Sequence, residues 1–304
     1  MSGADAPSDG VDVDAALVRR LLAAQFPQWT HLPVERVDSA GVDNALYRLG
    51  DDKTVRLPRS PWSAEHIRKE QRWLPVFAPQ LPLAIPTPLG KGTPGEGYPW
   101  HWSVYQWLDG RDAIDTPLAD EHEAARALAD FVGALHGIRT ADGNRSGLHS
   151  GLRGVPLPVR DPVVRESIAN LRGIVDVDAV TLAWENAIAV PAWRGAPVWT
   201  HGDLHPGNLL VQDGRIGAVI DWGLMSVGDP ALDVMVAWTY LSASARVTFR
   251  EHLVVDDDTW ARGRGWALCV GVIAYAYYMR TNPVLAGFSK RAVDEVLADL
   301  QPAV

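Results

Sequence analysis

The chain has 304 residues, 47% hydrophobic and 21% charged, an ordinary balance for a globular protein and enough length for one large domain or two modest lobes. A net charge of −9 speaks against nucleic acid or an anionic membrane as a partner. The lone Cys269 excludes an internal disulfide and suits a reducing cytoplasm; the acidic start M-S-G-A-D-A-P-S-D-G has no apolar core, so no secretory leader is expected, and the most apolar stretch, Trp266 to Met279, falls short of the ~20 residues a span needs.

Residues 1–12 read as a frayed tail. Asp14 is placed to cap a helix with Leu17, Leu21 and Ala24 on one stripe, ending before Pro27. Extended segments follow at Val34 to Ser39, Asn44 to Leu49 and Thr54 to Leu57, an antiparallel meander punctuated by Gly41 and the Gly50-Asp51-Asp52 turn. A helix over Ser63 to Leu74 sets Ile67, Glu70 and Leu74 on one face, so Glu70 points with apolar side chains toward the sheet. A carboxylate there is costly unless paired, and Arg56 is its natural partner. The Pro- and Gly-rich residues 79–99 read as loop or short extended pieces, leading into a strand over Trp102 to Leu108 that ends at Asp109-Gly110.

Beyond this point the pattern turns helical. Thr116-Pro117 predicts a helix start, and Leu128, Phe131, Val132 and Leu135 keep the period up to His136-Gly137. Thr140 to Pro158 is loop-like. Further helices are predicted from Asp161-Pro162, over Thr181 to Ala189, Pro230 to Ser242, Asp258 to Met279 and Ser289 to Leu300. Asp256-Asp257-Asp258 reads as solvated surface, with a rim that attracts a polyamine as the functional alternative. The thirteen Trp read as packing anchors. Strands first and helices later make this an α+β chain, with a β-rich N-terminal lobe, 1–107, and a mainly helical C-terminal lobe, 108–304.

One stretch carries chemistry: T-H-G-D-L-H-P-G-N-L-L-V-Q-D-G-R-I-G-A-V-I-D-W-G, Thr200 to Gly223. Two strand-like runs, Asn208 to Gln212 and Arg215 to Asp221, are joined by Asp213-Gly214, a two-residue hairpin signal because both turn positions need positive φ. Folding about that turn predicts Gln212 opposite Arg215 and Asn208 opposite Val219, with Asp221 a diagonal step from Asn208 and Asp203 at the same open end. Such an all-oxygen set suits Mg²⁺, which takes one or two carboxylates beside substrate phosphates. His201 and His205 are spaced i, i+4, but Gly202 and Pro206 argue against the helix that a zinc pair would need.

H-G-D-L-H-P-G-N followed by V-I-D-W-G, with G-D-P-A-L-D (Gly228 to Asp233) behind it, resembles the catalytic and metal-binding loops of the aminoglycoside phosphotransferase family, which shares its fold with protein kinases. The resemblance implies a bilobal protein-kinase-like fold, ATP as donor with GTP as the alternative, Mg²⁺ on Asn208 and Asp221, and Asp203 as catalytic base for direct in-line transfer to a small-molecule hydroxyl. It places the small-residue turn around Gly41 over the nucleotide phosphates. It puts Arg56, paired with Glu70, where protein kinases carry a phosphate-contacting lysine. The Gln106 carbonyl and Leu108 N–H fall at the adenine, His205 near the γ-phosphate, and Asp229 and Asp233 behind the catalytic loop. The leading acceptor is an aminoglycoside or similar antibiotic, hence cationic and a matter of resistance. Macrolide, choline, homoserine and sugar-amine kinases share similar loops, so a metabolite kinase is the alternative within the fold. Arginine in place of lysine at position 56 also supports a second reading, a nucleotide-binding pseudokinase that regulates a protein partner.

Overall fold

The computed structural model describes residues 13–37, 43–140, 143 and 145–300. It divides into two compact units, Met1–Pro79 with Ala84–Asp109, and Gln80–Leu83 with Gly110–Val304.

In the first unit, α1 (Ala15–Gln25) is capped by the Asp14 carboxylate, which accepts the Leu17 N–H at 2.7 Å. Strands β1 (Val34–Val37), β2 (Asn44–Leu49) and β3 (Lys53–Pro58) precede helix α2 (Pro61–Phe77), and β4 (Pro88–Gly92) and β5 (Trp102–Gln106) follow it. All five strands form one antiparallel sheet in the order β1-β2-β3-β5-β4. Helix α2 begins before Ser63 because Ser60 and Ser63 cap each other reciprocally and Pro61, with no N–H to lose, fits the first turn. Alternation along β3 sorts its side chains by face. Val55 and Leu57 join a core with Leu17, Leu21, Tyr47, Trp102 and Val104, each buried Leu worth about 2 kcal/mol. Arg56, between them, points the other way, toward Glu70 of α2.

The second unit opens with β6 (Arg111–Asp112) and α3 (Glu121–Gly137), then α4 (Asp161–Asn170) and α5 (Val177–Ala189). Strands β7 (Val198–Thr200), β8 (Leu209–Gln212), β9 (Arg215–Val219) and β10 (Ser226–Gly228) come next. Helices α6 (Ala231–Val234), α7 (Val236–Thr239), α8 (Ala243–Leu253), α9 (Asp257–Tyr278) and α10 (Pro283–Leu300) complete it. The strands make two small sheets, β6-β8-β9 and β10-β7. Trp184, Trp199, Trp222, Trp238 and Trp266 are fully buried in this unit, as packing anchors should be.

Several boundaries differ from the sequence reading, each for a local reason. Helix α3 starts at Glu121 and not at Thr116-Pro117, because the Asp120 carboxylate accepts the His122 and Glu123 N–H groups. Asp176 starts α5 four residues before Thr181, its side chain accepting from Ala179 N–H at 3.0 Å. Residues 230–242 make two short helices rather than one. Helix α8 was unexpected, and α10 begins at Pro283, where the Asn282 side chain accepts the Leu285 N–H. No helix among the described residues is long and apolar enough to cross a membrane.

Candidate active site

The hairpin forms as its turn requires, with Asp213 at φ 51° and Gly214 at φ 76°. Its register is not the one a plain hairpin gives. Gln212 pairs with Arg215 and Val211 with Ile216, but Leu210 pairs with Ala218 and Leu209 with Val219. Gly217 is the extra residue, a β-bulge on β9. Asn208 is therefore not opposite Val219; its carbonyl accepts the Ile220 N–H at 2.9 Å. The bulge brings Asp221 one residue closer to Asn208 than a regular ladder would. Asp221 itself is exposed and sits at φ 60°, a left-handed conformation that aspartate tolerates at a cost.

Asp203 is half-buried in the loop between β7 and β8. Asn208 Nδ2 donates to its carbonyl at 2.9 Å and approaches its carboxylate at 3.4 Å. Arg153 lies 3.1 Å from one carboxylate oxygen, and His205 Nε2 lies 3.5 Å from the other. Burial alone would raise the Asp203 pKa, but the Arg153 guanidinium and then His205 outweigh it and hold the carboxyl well below the usual range. His205 accepts the Gly207 N–H on Nδ1 and stacks on Phe288 at 4.6 Å between centroids.

The loop is braced from below. His201 is buried; its Nδ1 accepts the Asp203 N–H at 3.2 Å, so the proton of the neutral ring resides on Nε2, which faces the Ile220 carbonyl at 3.0 Å. Burial lowers the His201 pKa against the pull of Asp233 and Asp203, which keeps the ring neutral. Asp233, at 0% exposure, accepts the His201 and Gly202 N–H groups at 2.9 Å each. Gly202 holds φ 85°, and a Cβ there would meet the Leu224 carbonyl oxygen at 2.8 Å, so both conformation and space require glycine. Asp229 accepts from Arg262 Nε at 2.8 Å and from the Ala231 N–H, at the start of α6, at 3.0 Å.

Among the described residues no three His, Cys, Asp or Glu side chains cluster as a metal cage. The donor set present fits a different ion. Asn208 spends its Nδ2 on Asp203, which leaves Oδ1 for a cation, and Asp221 offers an exposed carboxylate one step along the hairpin. One amide oxygen and one carboxylate match Mg²⁺ held jointly with phosphate oxygens and water. His201, with both nitrogens engaged, is no zinc ligand.

In the first unit Arg56 Nη1 donates to Glu70 at 2.7 Å, and the pair is buried, 9% and 1% exposed. Tyr105 Oη donates to the second Glu70 oxygen at 2.6 Å. Burial, and then the Glu70 charge, push the Tyr105 pKa well above its ordinary value, so it remains a donor. With its amide oxygen turned toward Arg56, Asn44 accepts from Nε at 3.1 Å and from Nη2 at 2.9 Å. Gln106 ends β5, its N–H donating to the Thr87 carbonyl at 2.9 Å, and Leu108 follows it, half-buried. Gly41 lies outside the described residues.

A sequence model of the phosphotransferase enzyme family matches residues 34–266. The chain belongs to that family. It is 29% identical over 203 residues to the uncharacterized protein YcbJ of Bacillus subtilis (strain 168), a match that covers 64% of this chain and 60% of that protein. It is 30% identical over 219 residues to an aminoglycoside 3'-phosphotransferase of Escherichia coli, covering 68% of this chain and 70% of the relative. Among solved structures, the GDP complex of wild-type aminoglycoside 2'-phosphotransferase-IIIa superposes with a TM-score of 0.73 at 19% identity, covering 94% of this chain and 99% of that one. The expected α+β, protein-kinase-like fold is therefore the fold this phosphotransferase-family chain has.

For this family member, sequence reasoning missed Arg153, Asn44 and Tyr105. Arg153 sits in the irregular loop before α4, between Leu152 at φ 59° and Gly154 at φ 76°. No periodicity points from there to Asp203. Tyr105 and Asn44 had a signal: both lie on sheet strands at positions of the same parity as the face that carries Arg56.

Proposed function

We propose that the chain transfers the γ-phosphoryl group of a purine nucleoside triphosphate, ATP or GTP, to a hydroxyl of a small molecule. The observation that carries this reading is the set of oxygen donors at the hairpin mouth: Asp203 and Asn208 in hydrogen-bond contact, and Asp221 directly after the residue bonded to Asn208. Asn208 and Asp221 would hold Mg²⁺, which when bound neutralises charge on the phosphate oxygens. Asp203 orients the acceptor hydroxyl and takes its proton. The acceptor oxygen bonds to phosphorus as the bond to the bridging oxygen breaks, and that electron pair leaves on the nucleoside diphosphate. A carboxylate held at low basicity by Arg153 suits a loose transition state in which the proton departs late.

In the first unit Arg56, fixed by Glu70, Tyr105 and Asn44, would hold nucleotide phosphates; in the second, His205 would meet the γ-phosphoryl group. The Gln106 carbonyl and the Leu108 N–H would pair with the purine, and the turn around Gly41 would cover the phosphates. The GDP in the 2'-phosphotransferase complex belongs to that protein and supports a nucleotide here by likeness of fold.

The test is release of nucleoside diphosphate by the purified protein with Mg²⁺ and a panel of aminoglycosides, macrolides, choline, sugar amines and hydroxy acids. Acceptor-dependent release that Asp203→Ala reduces by about 10²–10⁴-fold supports the reading. Full turnover in that variant refutes the base, and metal-independent nucleotide binding with no transfer to any acceptor supports the pseudokinase instead.

A further inference from the structure

The second unit contains a cavity of about 230 Å³ lined by Arg153, Arg160, Cys269, Val270, Ile273, Ala274, Tyr277 and Tyr278. It is larger than the ~150 Å³ cavity that admits a benzene ring, so a monosaccharide-sized group fits. Its charge is unusual for a chain of net charge −9: of the described residues that line it, two are arginines and none is acidic.

The two arginines are held differently. Arg153 donates to the Gly202 carbonyl at 3.0 Å and lies 3.1 Å from the Asp203 carboxylate, so it belongs to both the cavity and the candidate base. Arg160 donates to the Gly151 carbonyl at 3.3 Å and lies beside the Cys269 thiol. Among the described residues it has no carboxylate within ion-pair distance, and its Nε–H is buried without a hydrogen-bond partner. A buried donor left without an acceptor is costly. The acidic run Asp256-Asp257-Asp258 supplies none: Asp256 caps α9 through the Thr259 N–H and Asp257 pairs with Arg250. That end of the helix is about 17–20 Å from Cys269 at 1.5 Å per residue.

We propose that this cavity is the acceptor subsite, and that it takes a polyol carrying an oxyanion, a carboxylate or a phosphate, rather than a polycation. The oxyanion pairs with Arg160, whose Nε–H has no other acceptor, the tyrosine faces pack on the carbon skeleton, and Arg153 sets a hydroxyl beside Asp203. This assignment rests on the phosphotransferase reading for the word acceptor, but the binding it asserts does not. It departs from the cationic acceptor that the family resemblance suggested.

The experiment is a thermal-shift and calorimetric titration of the full chain with D-gluconate, D-glucose 6-phosphate, sorbitol and the amine 1-amino-1-deoxysorbitol, with Mg-ATP in a separate arm. Gluconate or glucose 6-phosphate should stabilise the protein, and which of them binds more tightly distinguishes carboxylate from phosphate. Arg160→Gln should weaken that binding about tenfold or more, the value of a lost charge-assisted hydrogen bond. Arg160→Lys should recover part of it. Circular dichroism and the unliganded Tm establish that both variants fold. Stronger binding of the amine, an unchanged affinity in Arg160→Gln, or no binding by either anion overturns the proposal. Anion binding without any response to Mg-ATP would instead count against the phosphotransferase reading and leave the subsite standing.

Discussion

At the scale of single residues, Asp203 is held by three neighbours that play different parts. Asn208 fixes its backbone, Arg153 lowers its basicity, and His205 bridges from its carboxylate to the turn at Gly207. Glu70 is the counterpart in the first unit, a buried carboxylate that both Arg56 and Tyr105 reach. Glu70→Ala removes the carboxylate paired with buried Arg56, so unfolding in urea should show a loss of about 3–5 kcal/mol. Tyr105→Phe removes one hydrogen bond and should cost about 1–2 kcal/mol in the same assay. A Tyr105→Phe loss as large as that of Glu70→Ala would mean that the arginine contributes nothing to holding the carboxylate. The Glu70–Arg56 pair was legible from the sequence because the helical period pointed a charge inward. Arg153 was not, because a loop has no period from which to read a direction.

At the scale of elements, the loop that carries Asp203 depends on one conformation at Gly202 and one acceptor at Asp233. Gly202→Ala combines a left-handed φ with a contact to the Leu224 carbonyl, and should lower stability by about 2 kcal/mol or more while disturbing the neighbouring Asp203. His201 adds a pH dependence of definite sign. Its folded pKa lies below the unfolded value of 6.5, so the unfolded chain binds the proton first as pH falls. Stability of the nucleotide-free protein should therefore decrease from about pH 7 toward pH 5, by up to about 1.4 kcal/mol per pH unit from this ring. His201→Gln should flatten that slope; stability that rises on acidification, or an unaltered slope in the variant, would contradict the assignment. The hairpin shows what sequence can and cannot give at this scale. Asp213-Gly214 announces the turn through its backbone requirement, whereas the bulge at Gly217 has no signature of its own, and it moved Asn208 by one register position. Helix α8 escaped notice because its buried side is narrow, Ala245, Arg246 and Phe249, and a buried arginine reads as a surface residue until Glu295 is seen beside it.

At the scale of the whole molecule, family membership and fold rest on the match over residues 34–266 and on the superposition, while the acceptor rests on the chemistry of one cavity. The order of strands and helices gave the architecture because segregated halves leave a plain pattern in the chain. The nature of the acceptor left none, because Arg153 and Arg160 meet Tyr277 and Tyr278 only where the segment before α4 packs on α9. The central claim is that Asn208 and Asp221 form one cation site for a nucleoside triphosphate. It is tested most directly by calorimetric binding of a non-hydrolysable ATP analogue, with and without Mg²⁺, to the wild type, Asn208→Ala and Asp221→Ala. The account predicts that Mg²⁺ tightens binding to the wild type by about tenfold or more, and that either substitution removes the gain. Equal affinity with and without the metal in the wild type, or a full metal effect in both variants, would contradict it.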